Sequence, residues 1–189
     1  MMAVINNAYA HVSSSLFSVR FQRSIEEMLV SPIYPGFLLV GFVFSGVLRS
    51  IIVALLVFIV TSFFVHIDFS SLPMTMLVVT LVATLFALAG FINGMLARSF
   101  DDVLLIPTFL LTPLTYLGGV FYSASMLPPV WQTVVHFNPI FYMVNALRHV
   151  MIGQDEVNMT IAMSIIGFIM LLLIGLTFFL MKKGIGLRT

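Results

Sequence analysis

The sequence predicts an all-α integral membrane protein, and three observations carry that expectation. Hydrophobic residues make up 61% of the chain and charged residues 8%, with a mean hydropathy of +1.17; a soluble core of this size cannot hide so much apolar surface. The apolar runs reach the roughly 20 residues that a helix needs to cross a hydrocarbon core of about 30 Å. Arg20, Arg23, Arg98, Lys182, Lys183 and Arg188, six of the eight basic residues, fall on one side when the runs are threaded in order, which the positive-inside rule makes the cytoplasm. The expected architecture is a single transmembrane domain over residues 1–189, with about five transmembrane helices, a cytoplasmic amphipathic elbow and external re-entrant helices.

Residues 1–19 form a moderately apolar span. Asn6, Asn7, Ser13 and Ser14 turn it toward other helices or a wet cavity, because amides facing lipid are costly. It has neither a basic leader nor a small-residue cleavage site, which argues against a signal peptide. Residues 20–35, RFQRSIEEMLVSPIYP, interrupt the apolar pattern. Ser24 and Glu27 have capping-box spacing, Ile25, Met28 and Leu29 share one face, and Pro32 and Pro35 stop the short helix. Residues 36–66 would extend about 45 Å at 1.5 Å per residue, so this span tilts or projects. Its one charge, Arg49, is expected near the cytoplasmic interface, snorkelling, pairing with Glu26 or Glu27, or meeting substrate at a cavity floor.

An external turn over residues 68–73 leads into the span at 74–97, where Ala83, Ala87, Ala89, Gly90 and Gly94 permit close helix contact. Ser99, Asp101 and Asp102 then suit the start of the next helix as caps and as charge opposite its dipole, or as a docking contact. The span at 101–122 carries Pro107 and Pro113. Each removes a backbone donor and frees a carbonyl, which in lipid must find a partner inside the protein or in a wet cavity. Thr108, Thr112 and Thr115 stand beside them, with Tyr116 following, so this helix reads as lining a path or an interface. Residues 125–152 are broken at Pro128-Pro129 and Asn138-Pro139 into pieces too short to span, and Trp131, Tyr122 and Tyr142 suit interfacial depth. The last span covers 159–181, and residues 182–189 form a cytoplasmic tail.

Catalytic and nucleic-acid readings find little support. The chain has no cysteine and no G-x-x-x-x-G-K-[ST] loop to cradle a nucleotide. His11, His66, His136 and His149 share no metal-ligand spacing, so no metal site is expected. Asp101 and Asp102 diverge on a helix, and the basic residues are too scattered for nucleic acid.

The polar elbow F-Q-R-S-I-E-E-M-L-V-S-P, then S-F-D-D-V-x-L-I-P-T-F-x-L-T-P-L-T-Y-L-G-G-V-F-Y-S, L-P-P-x-W and N-P-I-F-Y-M-V-N-A-L-R together resemble the membrane subunit of ABC-2 type exporters. The pattern is most similar to bacterial permeases of the drug and lipo-oligosaccharide export group. Relative to that pattern the chain lacks an N-terminal interfacial helix and a first span, which implies a fragment, a truncated product or numbering from an internal methionine. The resemblance implies a non-enzymatic permease of the bacterial inner membrane, exporting a drug, lipid or glycolipid. It implies a homodimer or heterodimer of permeases in membrane lipid, joined to ATP-binding cassette subunits that hold the ATP and Mg²⁺. Arg20, Phe21, Gln22, Arg23, Glu26, Glu27, Ser31, Pro32, Asp101 and Asp102 would then couple to the ATPase. Asn6, Asn7, Ser13, Ser14, Arg49, Pro107, Thr108, Thr112, Pro113, Thr115 and Tyr116 would line the path or dimer interface, and Pro128, Pro129, Trp131, Asn138, Pro139 and Arg148 would form an external lid. The alternative is a membrane scaffold or lipid-modifying protein coupled to no ATPase.

Overall fold

The computed structural model of the chain describes residues 1–22, 35–64, 72–122, 126–153 and 157–184. Among them every regular element is helical, the arrangement that lets an open chain satisfy its backbone groups within each segment in lipid. Helix α1 runs Met2–Phe21, α2 Pro35–Ser62, α3 Leu72–Leu96 and α4 Phe100–Leu117. The shorter α5, Pro129–His136, and α6, Pro139–Ile152, precede α7, Met159–Lys182. Among the described residues four helices, Gly36–Ser62 of α2, α3, α4 and α7, are long and apolar enough to cross a membrane. The 20 residues of α1 match that length, at about 30 Å. They fall short in apolarity, because Asn6, Asn7, His11 and four serines interrupt them.

The core lies where α1 meets α3. Ile5, Ala8, Tyr9, Val12 and Leu16 of α1 are buried against Val78, Val82, Ala83, Ala87 and Phe91 of α3, with α2 and α6 closing the sides. Lipid tails are as apolar as leucine, so such helices associate through close packing and hydrogen bonds more than through burial from water. Glycine supplies the closeness: a Cβ at Gly90 would overlap the Tyr9 carbonyl oxygen, and one at Gly94 would lie 2.9 Å from the Ser13 carbonyl oxygen. Gly46 of α2 approaches Val12 just as tightly, and the buried Ser50 hydroxyl donates to the Val4 carbonyl at 3.3 Å.

Arg20, expected to open the elbow, belongs to α1. Its Nη1 donates to the carbonyls of Gly94, Met95 and Ala97 at 2.6, 2.7 and 3.1 Å, so it caps the C-terminal end of α3, where unpaired carbonyls and the negative end of the helix dipole both favour a cation. Arg20→Leu is expected to lower the thermal stability of the detergent-solubilised protein by about 1.5–3 kcal/mol, the range for charge-assisted hydrogen bonds, with Arg20→Lys recovering part of it. Equal melting curves for all three proteins would contradict this role. Of the other elbow residues, Arg23, Glu26, Glu27, Ser31 and Pro32 lie outside the described residues, as does most of the turn expected at 68–73.

Ser99 and Asp102 start α4 with a reciprocal capping box. The Asp102 backbone N–H donates to Ser99 Oγ at 3.2 Å, and Asp102 Oδ2 accepts from the backbone N–H groups of Ser99 and Arg98 at 3.1 and 2.9 Å. Halfway along, residues Pro107–Leu111 form a π turn. Two prolines six positions apart explain it: neither donates a backbone hydrogen bond, and widening the turn by one residue moves the carbonyls behind them clear of their rings. The Thr112 N–H and hydroxyl both reach the Pro107 carbonyl, the hydroxyl at 2.9 Å.

Helices α5 and α6, of 8 and 14 residues, extend about 12 and 21 Å and are too short to span. Pro129 occupies the first turn of α5, where its missing N–H costs nothing. Asn138 caps α6 by accepting from the Ile140 N–H at 3.0 Å, while its Nδ2 donates to the Leu114 carbonyl of α4 at 2.6 Å. Arg148 donates from Nη2 to the Gly119 carbonyl at 2.8 Å. The two short helices are thereby tied to the far end of α4. Helix α7 returns alongside α3 and α6, and leaves Phe168, Leu171, Leu172 and Phe179 exposed, as a lipid-facing helix does.

Candidate translocation surface

Helix α1 is buried where it meets α2 and α3 and open on another face. Neighbours on a helix face recur at three and four residues, and the open face carries Asn7, His11, Ser14 and Ser18 at spacings of four, three and four, with exposed Ala10 between them. Helix α2 packs along one edge of this face and α4 along the other. Phe100 of α4 pins the second edge: its ring meets Phe17 edge-on at 4.7 Å and Phe21 at 5.4 Å. The result is a polar stripe on the floor of a groove between two apolar helices. Hydroxyls and amides facing lipid are costly, so such a stripe belongs against another protein surface or water.

Two side chains of the stripe are satisfied by their own helix. Asn7 Nδ2 donates to the Ala3 carbonyl at 2.9 Å, and Ser14 Oγ to the Ala10 carbonyl at 2.7 Å. Arg49 joins it from α2. Its Nη1 lies 3.2 Å from His11 Nδ1; because guanidinium only donates, this contact makes Nδ1 the acceptor and places the imidazole proton on Nε2. Counted to His66, Arg49 is expected near the cytoplasmic interface, but α2 ends at Ser62, so Arg49 stands at its midpoint, 13 residues from both Gly36 and Ser62. No metal-binding cluster of His, Asp or Glu occurs among the described residues.

The expected path residues divide into two groups. Asn7, Ser14 and Arg49 meet at the groove, and Asn6 is half-buried on α1. Ser13 is fully buried against α3 beside Gly94, and Thr115 is fully buried and donates to the Leu111 carbonyl at 2.7 Å, so both serve the bundle interior. Thr112 closes the π turn begun by Pro107. Pro113, Thr108 and Tyr116 sit on the outer surface of α4, where Tyr116 stacks on Phe121 at 5.3 Å. Among the expected lid residues Asn138 and Arg148 clamp α6 to α4, Pro128 and Pro139 flank helix starts, and Trp131 is half exposed. Near the basic end Phe21, Gln22 and Asp101 are exposed, whereas Arg20 and Asp102 are engaged as caps.

Two contributors are missing from the sequence reading. Asn93 of α3 donates from Nδ2 to the Val103 carbonyl at 3.1 Å, the carbonyl that Pro107 leaves without its helical donor. The signal was an amide five residues before Arg98, in a span whose other polar residues are threonines. His11 is the other; its spacing from Asn7 and Ser14 could have placed it on the same face.

The sequence pattern of the ABC-2 type transporter family matches residues 1–152. The inner membrane transport permease YadH of Escherichia coli K12 is 44% identical over 189 residues, covering 100% of this chain and 74% of YadH, and the Shigella flexneri protein of the same name matches equally. Nodulation protein J of Rhizobium leguminosarum bv. trifolii is 26% identical over 137 residues, 72% of this chain and 52% of that protein. No solved structure matches the chain. Identity at that level along the whole chain, carried by apolar helices of bilayer length, means that the chain belongs to the ABC-2 type transporter family, as a multi-pass inner-membrane permease of an ABC transporter.

Proposed function

We propose that this permease exports a hydrophobic or amphipathic molecule across the inner membrane, driven by ATP hydrolysis on a separate subunit. The observation that carries the reading is the polar stripe of Asn7, His11 and Ser14 on the uncovered face of a membrane-length helix. A lipid-facing helix has no use for it, whereas a path shared with a second permease copy, identical or related, needs a wet wall of this kind. ATP and Mg²⁺ belong to the partner, in keeping with a sequence that has no Walker loop, and no cofactor is assigned to this chain. The end bearing Arg20, Arg98 and Lys182 faces the cytoplasm and meets the ATPase. There exposed Phe21, Gln22 and Asp101 join Arg23, Glu26, Glu27, Ser31 and Pro32 in transmitting the partner's movement.

The test is copurification from native membranes in mild detergent. An ATP-binding subunit is expected to follow the tagged permease in near-equal amount, and Glu26→Lys with Glu27→Lys is expected to uncouple its hydrolysis from export without reducing permease yield. Intact permease oligomers purified with no nucleotide-binding partner would overturn the reading and favour a scaffold.

A further inference from the structure

We propose that Arg49 and His11 form an anion-recognition site deep in the membrane, which selects amphiphiles with an anionic headgroup; the proposal rests on the export reading and adds the charge of the cargo. Depth is the first argument. Thirteen residues on either side of Arg49 place it about 20 Å from each end of the apolar α2. However that helix sits across a core about 30 Å thick, Arg49 lies at least about 10 Å below either surface, beyond the roughly 7 Å that an arginine side chain extends to snorkel. Headgroup phosphates at the membrane edge therefore do not neutralise it.

Missing countercharge is the second argument. Among the described residues the acidic side chains are Asp101 and Asp102, both in the first turn of α4. Phe100, beside them, packs on Phe17 and Phe21 of α1, six or more residues beyond the His11 that Arg49 meets, so neither carboxylate stands level with Arg49. Its one partner among the described residues, His11 Nδ1, is neutral. Donor geometry points the same way. Guanidinium carries five N–H donors, of which His11 takes one, and the His11 Nε2–H adds another on the same side. Asn7 and Ser14, a turn away on either side, are bonded to their own helix and leave the charge unquenched. Donors without acceptors, at low dielectric and opening on a groove, suit a carboxylate or phosphate whose apolar tail remains in the membrane.

Full-length permease with its ATPase, in phosphatidylcholine nanodiscs, is titrated with dansyl-undecanoic acid and with its methyl ester, followed by dansyl fluorescence. The acid is expected to bind about tenfold more tightly than the ester, the scale of one charge-assisted contact. Arg49→Gln is expected to abolish that preference and Arg49→Lys to keep part of it, while inorganic phosphate leaves the bound acid in place. Equal binding of acid and ester by the wild-type protein overturns the proposal, whatever the stability of the variants, as does a preference that survives in Arg49→Gln. Displacement by inorganic phosphate assigns the site to small anions and overturns the amphiphile class. An ATPase that still copurifies in any of these cases leaves the export reading standing, so the two failures are distinguishable.

Discussion

Gly90→Leu is expected to abolish recovery of folded permease, and Gly90→Ala to reduce it severely. A new Cβ at residue 90 meets the Tyr9 carbonyl, which is backbone inside a helix and has no rotamer to yield. Replacing glycine by alanine in a helix ordinarily gains about 0.5–1 kcal/mol from chain entropy. Overpacking costs about 1–3 kcal/mol where side chains can adjust, and more where they cannot, so the clash outweighs the propensity gain. Gly94→Leu should behave alike, since its Cβ would crowd the Ser13 carbonyl and Leu16. Gly41 and Gly167 provide the control: nothing stands within 4 Å of a Cβ at either, and leucine there should leave the protein intact. Size-exclusion profiles and thermal unfolding in detergent decide it; similar losses at residues 41 and 90 would refute the packing argument.

The second large effect concerns the proline helix. Asn93→Leu is expected to destabilise the bundle by about 1–3 kcal/mol, the cost of a buried carbonyl left unsatisfied, because the Val103 carbonyl loses its one side-chain donor. Pro107→Ala returns the missing backbone N–H to α4. The double variant should therefore be more stable than the sum of the single effects predicts, by about 1 kcal/mol or more in a double-mutant cycle. Pro107→Ala alone should insert and assemble normally yet transport poorly, because it straightens the π turn. Additive energies for the pair would show that Asn93 and Pro107 act independently.

The bilayer made much of this architecture legible. Long apolar runs and basic ends are imposed by lipid thickness and surface charge, whatever the chain's partners, so α2, α3, α4 and α7 can be read directly from composition. Side-chain partnerships are another matter, since they depend on which helices touch. Arg20 reads as a loop charge until α3 is seen to end beside it, 74 to 77 positions later in the chain. The threonines around Pro107 look like local donors, and Thr112 is one, but Asn93 comes from another helix. Ser13 and Ser14 are neighbours with the same chemistry; the 100° between consecutive helix positions sends one into the bundle and the other to the groove. The depth of Arg49 depended on where α2 stops, and Thr61 and Ser62 are a weak stop signal when Phe63, Phe64 and Val65 follow them.

Asn138 gives the molecule a mechanical property. Because it caps α6 and holds the Leu114 carbonyl at the same time, with Arg148 fastening Gly119 as well, the outer half of α4 and the short helices above it are yoked. Below the yoke lies the π turn, where the regular hydrogen-bond ladder of α4 is broken. The geometry is that of a crank with its pivot at Pro107–Leu111: a 10° rotation there would carry Leu117, about 9 Å farther along the axis, through about 1.6 Å, and α6 through a wider arc. A modest push on the inner half of α4 would be delivered, amplified, at the opposite membrane surface.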